Sequence, residues 1–126
     1  MQNKQTLTFT QNEILYLLII AGADDEGIFE RFDLLTTDTT KENLEEGRKS
    51  LLSRELISFP ASSKIPVMRD TVIGLIGAIA VGIPVGDGYY FESQTGWRAR
   101  LTKESEWYVI EGNEMEDESD KPPIIN

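Results

Sequence analysis

Chemistry near neutral pH usually rests on a group that titrates or attacks, and this chain of 126 residues lacks the two commonest. It contains no cysteine and no histidine. Thiol nucleophiles, imidazole bases, disulfides and Cys-His zinc sites are therefore excluded. Carboxylates and a Ser-Lys pair are what remain for hydrolysis. Asp70 and Asp87 flank the longest apolar run, but helix capping and turn formation account for both. Ser62-Ser63-Lys64 stands in no catalytic context. Asp24, Asp25 and Glu26 are adjacent rather than spaced to converge on a metal ion, and they match no calcium-loop pattern. The stretch from Gly82 to Gly88 is glycine-rich, yet it follows a helical pattern and precedes a strand pattern. A phosphate-cradling loop runs from strand into helix and carries a lysine. The expectation is a chain that is not an enzyme, with no catalytic residue, cofactor or metal.

Recognition is the chemistry the remaining residue types suit. Tyr89, Tyr90, Trp97, Trp107 and Tyr108 concentrate the large aromatics in one third of the chain. Arg98 and Arg100 alternate with Trp97, Ala99 and Leu101, so a strand places the two guanidinium groups on one face. Pairing of these arginines with Glu92 across strands is the structural reading; a small cationic patch gripping an acidic segment is the functional one. Tyr90, Trp97, Arg98, Arg100, Trp107 and Tyr108 form the candidate protein-binding surface, because aromatics and arginine dominate binding energy at interfaces.

Composition narrows the partner. There are 22 acidic and 12 basic residues, for a formal net charge of -10. That field repels nucleic acid and an anionic membrane surface. The partner expected is another protein with basic or apolar patches. The polar start MQNKQTLTFTQNE predicts no signal peptide, and the absence of cysteine fits a cytoplasmic protein. The uncharged run Val72–Val85 is 14 residues long, short of the roughly 20 that span a bilayer, so no membrane insertion is expected.

The elements that must position these residues follow from local pattern. Thr10 and Glu13 are spaced as a capping box, with Phe9 and Ile14 at the staple positions, and the helix they open ends near Gly22. Asp24, Asp25 and Glu26 start a short second helix that packs Ile28, Phe29 and Phe32 inward. Thr39 and Glu42 suggest a second capping box, opening a third helix with Leu44, Leu51, Leu52 and Leu56 on one side. Glu45 and Lys49 are a favourable i,i+4 pair, and Gly47 in mid-helix hints at close packing. Ile57-Ser58-Phe59 is extended, and Pro60 and Pro66 bound a connection. A central buried helix follows, capped at Asp70 or Thr71 and leaving at Pro84. Its Gly74, Ala78 and Gly82 share one face that permits close approach of the first helix or of a second copy of the chain. Gly86-Asp87-Gly88 makes a turn. From Tyr89 the period is two, giving strands near Tyr89–Ser93, Trp97–Leu101 and Trp107–Ile110 in an antiparallel meander. The fold class is α+β: an N-terminal helical part, the central buried helix and the C-terminal three-stranded meander. Residues 1–112 form a single domain, and 113–126 an acidic tail in which Ile124 and Ile125 are apolar exceptions.

The stretches TQNEILYLLIIAGA, KSLLSRELI, DTVIGLIGAIAVG, YYFES and WRARL, in that order from about Leu7 to Gly112, resemble the EspG-like secretion-associated chaperones of type VII (ESX) systems. The chain corresponds to a single half of what is often a two-half protein. That resemblance implies a mixed α/β domain that binds a secreted helical-hairpin substrate in the cytosol without catalysis, with dimerisation supplying the missing half. It assigns no individual binding residue. Three N-terminal helices also invite a winged-helix-like regulatory reading, opposed by 11 acids against 6 bases in residues 1–57. A small phage or accessory structural protein assembling through the apolar helix is a further reading.

Overall fold

Thr10 opens the first helix as its spacing to Glu13 predicts. In the computed structural model, which describes residues 4–61 and 63–115, the Glu13 amide donates to Thr10 Oγ1 at 3.2 Å, and the Thr10 amide donates to Glu13 Oε1 at 2.8 Å. Helix α1 (Gln11–Ile20) ends at Ala21, and Gly22 takes the positive φ of 71° that lets the Ala23 amide reach back to the Leu18 carbonyl at 2.9 Å. Asp25 caps α2 (Glu26–Arg31) by accepting from the Ile28 amide at 2.8 Å, so one of the three adjacent acids is spent on helix initiation. A 3-10 turn at Thr36–Asp38 leads to α3 (Lys41–Ser53). Here the predicted cap is displaced by one residue: Thr40, not Thr39, accepts from the Asn43 amide, at 3.1 Å. Glu45 pairs with Arg48 at i,i+3 instead of Lys49. Gly47 meets its expectation fully, since a Cβ there would lie 2.1 Å from the Asn12 carbonyl oxygen, where α1 and α3 cross.

α3 runs into a two-residue hairpin, β2 (Ile57–Ser58) and β3 (Val67–Met68). The helix-then-hairpin order is that of a winged helix. However, α2 packs on the fourth helix and α3 packs on α1, and Glu42, Glu45 and Glu46 are exposed on α3, a surface that repels phosphates.

Helix α4 (Asp70–Val81) is the buried central helix; Arg69, not Asp70 or Thr71, takes the N-cap position, and it makes no side-chain cap bond. Its apolar run does not stay helical to Pro84. Gly82 turns the chain into extended backbone, because α4 approaches the sheet so closely there that a Cβ would sit 3.0 Å from the Phe91 backbone. Ile83–Gly86 then forms β4, where Pro84 is tolerated because β4 lies at the sheet edge. Asp87 (φ 53°) and Gly88 (φ 80°) supply the two positive-φ positions of a tight hairpin turn into β5 (Tyr89–Glu92). β6 (Trp97–Glu104) and β7 (Trp107–Glu114) complete the expected meander.

The sheet has five strands in the order β1-β7-β6-β5-β4, every neighbouring pair antiparallel. Its unforeseen member is β1 (Gln5–Phe9), which pairs with β7 through Leu7 opposite Ile110 and Phe9 opposite Tyr108. QTLTF alternates as a strand should, but Phe9 also serves the helix start, and the helix signal masked the strand. β7 extends to Glu114, and Met115 is buried with its amide donating to the Gly96 carbonyl at 2.7 Å. The folded part thus runs past residue 112, while Ile124 and Ile125 lie outside the described residues. No helix among the described residues is long and apolar enough to cross a membrane.

The small-residue face of α4 looks at the sheet, not at α1 or out of the molecule. A Cβ on Gly74 would lie 2.2 Å from the Trp97 indole, Ala78 is wholly buried, and Gly82 abuts β5. From β7, Gly112 meets Leu75 of α4 in the same way, 2.9 Å from a hypothetical Cβ. Two substitutions check this packing by chemical denaturation. Ala78→Leu should lower stability by about 1–3 kcal/mol through overpacking. Gly47→Ala should also lower it, since the collision with the Asn12 backbone outweighs a helix-propensity gain of about 1 kcal/mol. Unchanged unfolding midpoints would show both contacts to be looser than described.

Candidate protein-binding site

The buried carboxylate nearest to a catalytic candidate is Glu13, with no solvent exposure at all. It is fully engaged. Oε1 accepts from the Thr10 amide and from Arg54 Nη1 at 2.7 Å, and Oε2 accepts from the Ser50 hydroxyl at 2.7 Å. Arg54 also donates to the Thr8 carbonyl at 2.7 Å and lies over the Phe9 ring. These bonds tie β1 and α1 to α3, a structural role that occupies both carboxylate oxygens. Among the described residues no three acidic side chains gather closely enough to hold a metal ion.

The six residues singled out in the sequence do not converge. Strand alternation divides them between two faces of the sheet. On the helix-covered face, Tyr108 is buried with Lys103 over its ring at 5.1 Å, and burial pushes its phenol pKa up. Trp97 covers Gly74, and Tyr90 is half-buried beneath the Arg31 guanidinium, 4.8 Å from the ring centroid. Arg31 donates onward to the carbonyls of Ile79 (3.0 Å) and Gly82 (2.7 Å), closing the C-terminal end of α4 with positive charge. On the outer face stand Arg98, Arg100 and the exposed Trp107. Arg98 lies 3.9 Å and Arg100 4.9 Å from the Tyr89 ring centroid, so that tyrosine takes both cations. Arg100 also pairs with Glu111, which holds Lys4 at 3.1 Å. Glu92 does not pair with either arginine. Its register opposite Trp97 puts it on the other face, and it accepts instead from the Gln94 and Thr95 amides of the turn.

A different surface gathers the exposed apolar groups. Ala21 and Ala23 beyond α1, Met68 of β3, and Ile73, Ile76, Gly77, Ala80 and Val81 of α4 line a groove of about 200 Å³. Ile73 and Val81 remain 42% and 60% exposed. Small residues leave the groove floor open: a Cβ on Gly77 would meet nothing within 4 Å. One signal in the sequence points here. A helix uncharged around its whole circumference has more apolar surface than one sheet face covers, and Ile73, Gly77 and Val81 are the four-residue row left over. No protein-family model, no curated protein and no solved structure matches the chain.

The ion cluster on the outer face sets a pH dependence. The Lys4 ammonium, with the Arg100 guanidinium, holds the Glu111 carboxyl below the usual carboxylate range. A carboxyl lowered by folding stabilises the fold above its unfolded pKa of about 4.3 and ceases to as pH falls through the lowered value. The Glu111→Gln chain should therefore lose less stability than the parent between about pH 5 and pH 3. Parallel stability-against-pH curves for the two chains would remove Glu111 from this role.

Proposed function

We propose that this chain is a non-catalytic protein-binding domain, adaptor-like or chaperone-like, which takes an apolar helical segment of a partner protein into the α4 groove. The observation that carries this reading is the apolar groove lined by Ile73, Ile76, Gly77, Ala80 and Val81 of α4 with Met68 and Ala23, in which Ile73 and Val81 stay exposed. Such a surface in an otherwise charged chain marks an interaction site. Its form suits a helix laid in a groove, a mode that reads apolar side chains spaced i, i+3, i+4 and i+7 and gains from small floor residues that allow close approach. Full use of Glu13 in structural bonds supports the non-catalytic part. A secreted helical substrate met in the cytosol, as the resemblance to type VII secretion chaperones implies, is the partner class that fits this groove. The net charge of -10 favours segments with basic flanks.

Gly77 separates binding from folding. Its Cβ direction is open and its substitution improves helix propensity, so Gly77→Gln should unfold at the same or slightly higher denaturant concentration. The same substitution should weaken capture of an amphipathic helical peptide with basic flanks at least tenfold, read by titration calorimetry. Equal affinity of the two chains, or no binding of such a peptide to the parent, would refute the groove as the binding site.

A further inference from the structure

The outer sheet face carries a local charge opposite to that of the chain. Lys4, Arg98 and Arg100 gather there near Tyr89 and Glu111, while Glu104, opposite Trp107, stands on the same face at the far end of β6. Among the described residues no carboxylate pairs with Arg98, whose Nε is buried without a hydrogen-bond partner. Beside it lie two buried apolar side chains that are not part of the main core, Phe91 and Met115. Phe91 is opposite Arg98 in the β5-β6 register, and Asn113 is opposite Arg98 in the β6-β7 register. The chain therefore leaves the sheet at Met115 within two residues of a position adjacent to Arg98. The next residues are Glu116, Asp117, Glu118, Ser119 and Asp120.

We propose that this outer-face cluster is a docking site for a carboxylate-rich segment, and that its occupant is the chain's own segment 116–120. Charge complementarity and position both argue for it. Adjacent strands are about 5 Å apart, and five extended residues reach about 17 Å, so the segment spans the distance from Met115 back over Arg98 and Arg100. A tether of this length gives a local concentration in the millimolar range, against which a free acidic segment must compete. The Nε atoms of Arg98 and Arg100 are both buried without a hydrogen-bond partner, but Arg100 is already shared with Glu111, whereas Arg98, stacked on Tyr89, has no carboxylate partner among the described residues. The site lies on the opposite side of the sheet from the apolar groove, so it stands or falls independently of the helix-binding reading. An acidic partner that uses this face has first to displace the tail.

The test uses the full chain, labelled with nitrogen-15. The variants are Arg98→Gln and a chain with Glu116→Gln, Asp117→Asn, Glu118→Gln and Asp120→Asn together. Neutralising the tail should shift the Arg98 Nε resonance, and Arg98→Gln should move the amides of 116–120 towards random-coil shifts. A synthetic peptide of residues 113–126, added to each chain, should bind the tail-neutralised chain about tenfold more tightly than the parent. The proposal is overturned if the tail amides coincide in the parent and Arg98→Gln chains. It is equally overturned if the peptide binds both chains alike, which would leave the face open for an acidic segment of another protein. Should Arg98→Gln fail to fold, the tail-neutralised chain decides alone, because it alters nothing within residues 4–115.

Discussion

The seating of α4 on the sheet determines where everything else goes. Gly74 lies under Trp97, Ala78 is wholly buried, and Gly82 touches the backbone of β5, while Gly112 gives way to Leu75 from the strand side. Missing side chains on both layers let a Trp97 ring and a Leu75 side chain fill the space at Gly74 and Gly112 and bring Gly82 to the β5 backbone, and close packing multiplies dispersion contacts that fall off steeply with distance. A helix held this tightly has one rotational setting. The row bearing Ile73, Gly77 and Val81 is thereby fixed on the outside, along with the groove it lines. The same contact ends the helix at Val81 and sends the chain directly into β4, and Arg31 from α2 satisfies the carbonyls exposed at that end.

A second constraint fixes the N-terminal helices to this frame. Glu13 begins as half of a local capping box, then accepts from Ser50 and Arg54 across the interface with α3. A carboxylate without solvent exposure is costly unless its oxygens are hydrogen-bonded, and here three donors, one beside α1 and two from α3 and its end, serve both of them. Arg54 closes the circuit by bonding the Thr8 carbonyl of β1. Loss of either charge would leave the other buried or unpaired, so the network specifies the crossing of α1 and α3 that Gly47 makes sterically possible.

Local signals were legible in the sequence, and so was the fold class. The Thr10-Glu13 box, the helix start at Asp25 and the meander from Tyr89 onward all rest on interactions between residues near in the chain, and at Gly47 a residue type alone marked a close contact whose partner, Asn12, is distant. What eluded sequence reasoning depends on distant partners. β1 is a strand only because β7 offers it an edge, and β4 exists because the sheet meets Gly82 at backbone distance. The six candidate binding residues were grouped by type and proximity in sequence, yet strand alternation assigns Tyr108, Trp97 and Tyr90 to one face and Arg98, Arg100 and Trp107 to the other. The groove was hinted at by an apolar run too complete for one helix face, but its walls from Ala21, Ala23 and Met68 come from segments far apart in the chain.

How the domain can meet a partner also follows from how its edges are closed. Edge strands are the usual route for strand addition, and both edges here are obstructed. On β1, the Thr8 carbonyl is taken by Arg54; on β4, Pro84 lacks a donor and the register shifts between Pro84 and Gly86. Backbone pairing with another chain is thus disfavoured at either side of the sheet. The two surfaces proposed for recognition are side-chain surfaces of opposite character. The apolar groove rewards burial of a helix face, whereas the arginine-tyrosine cluster rewards carboxylates and loses strength as salt rises. Lying on opposite sides of one sheet, they do not compete for the same atoms, and a partner chosen by one is not excluded by the other.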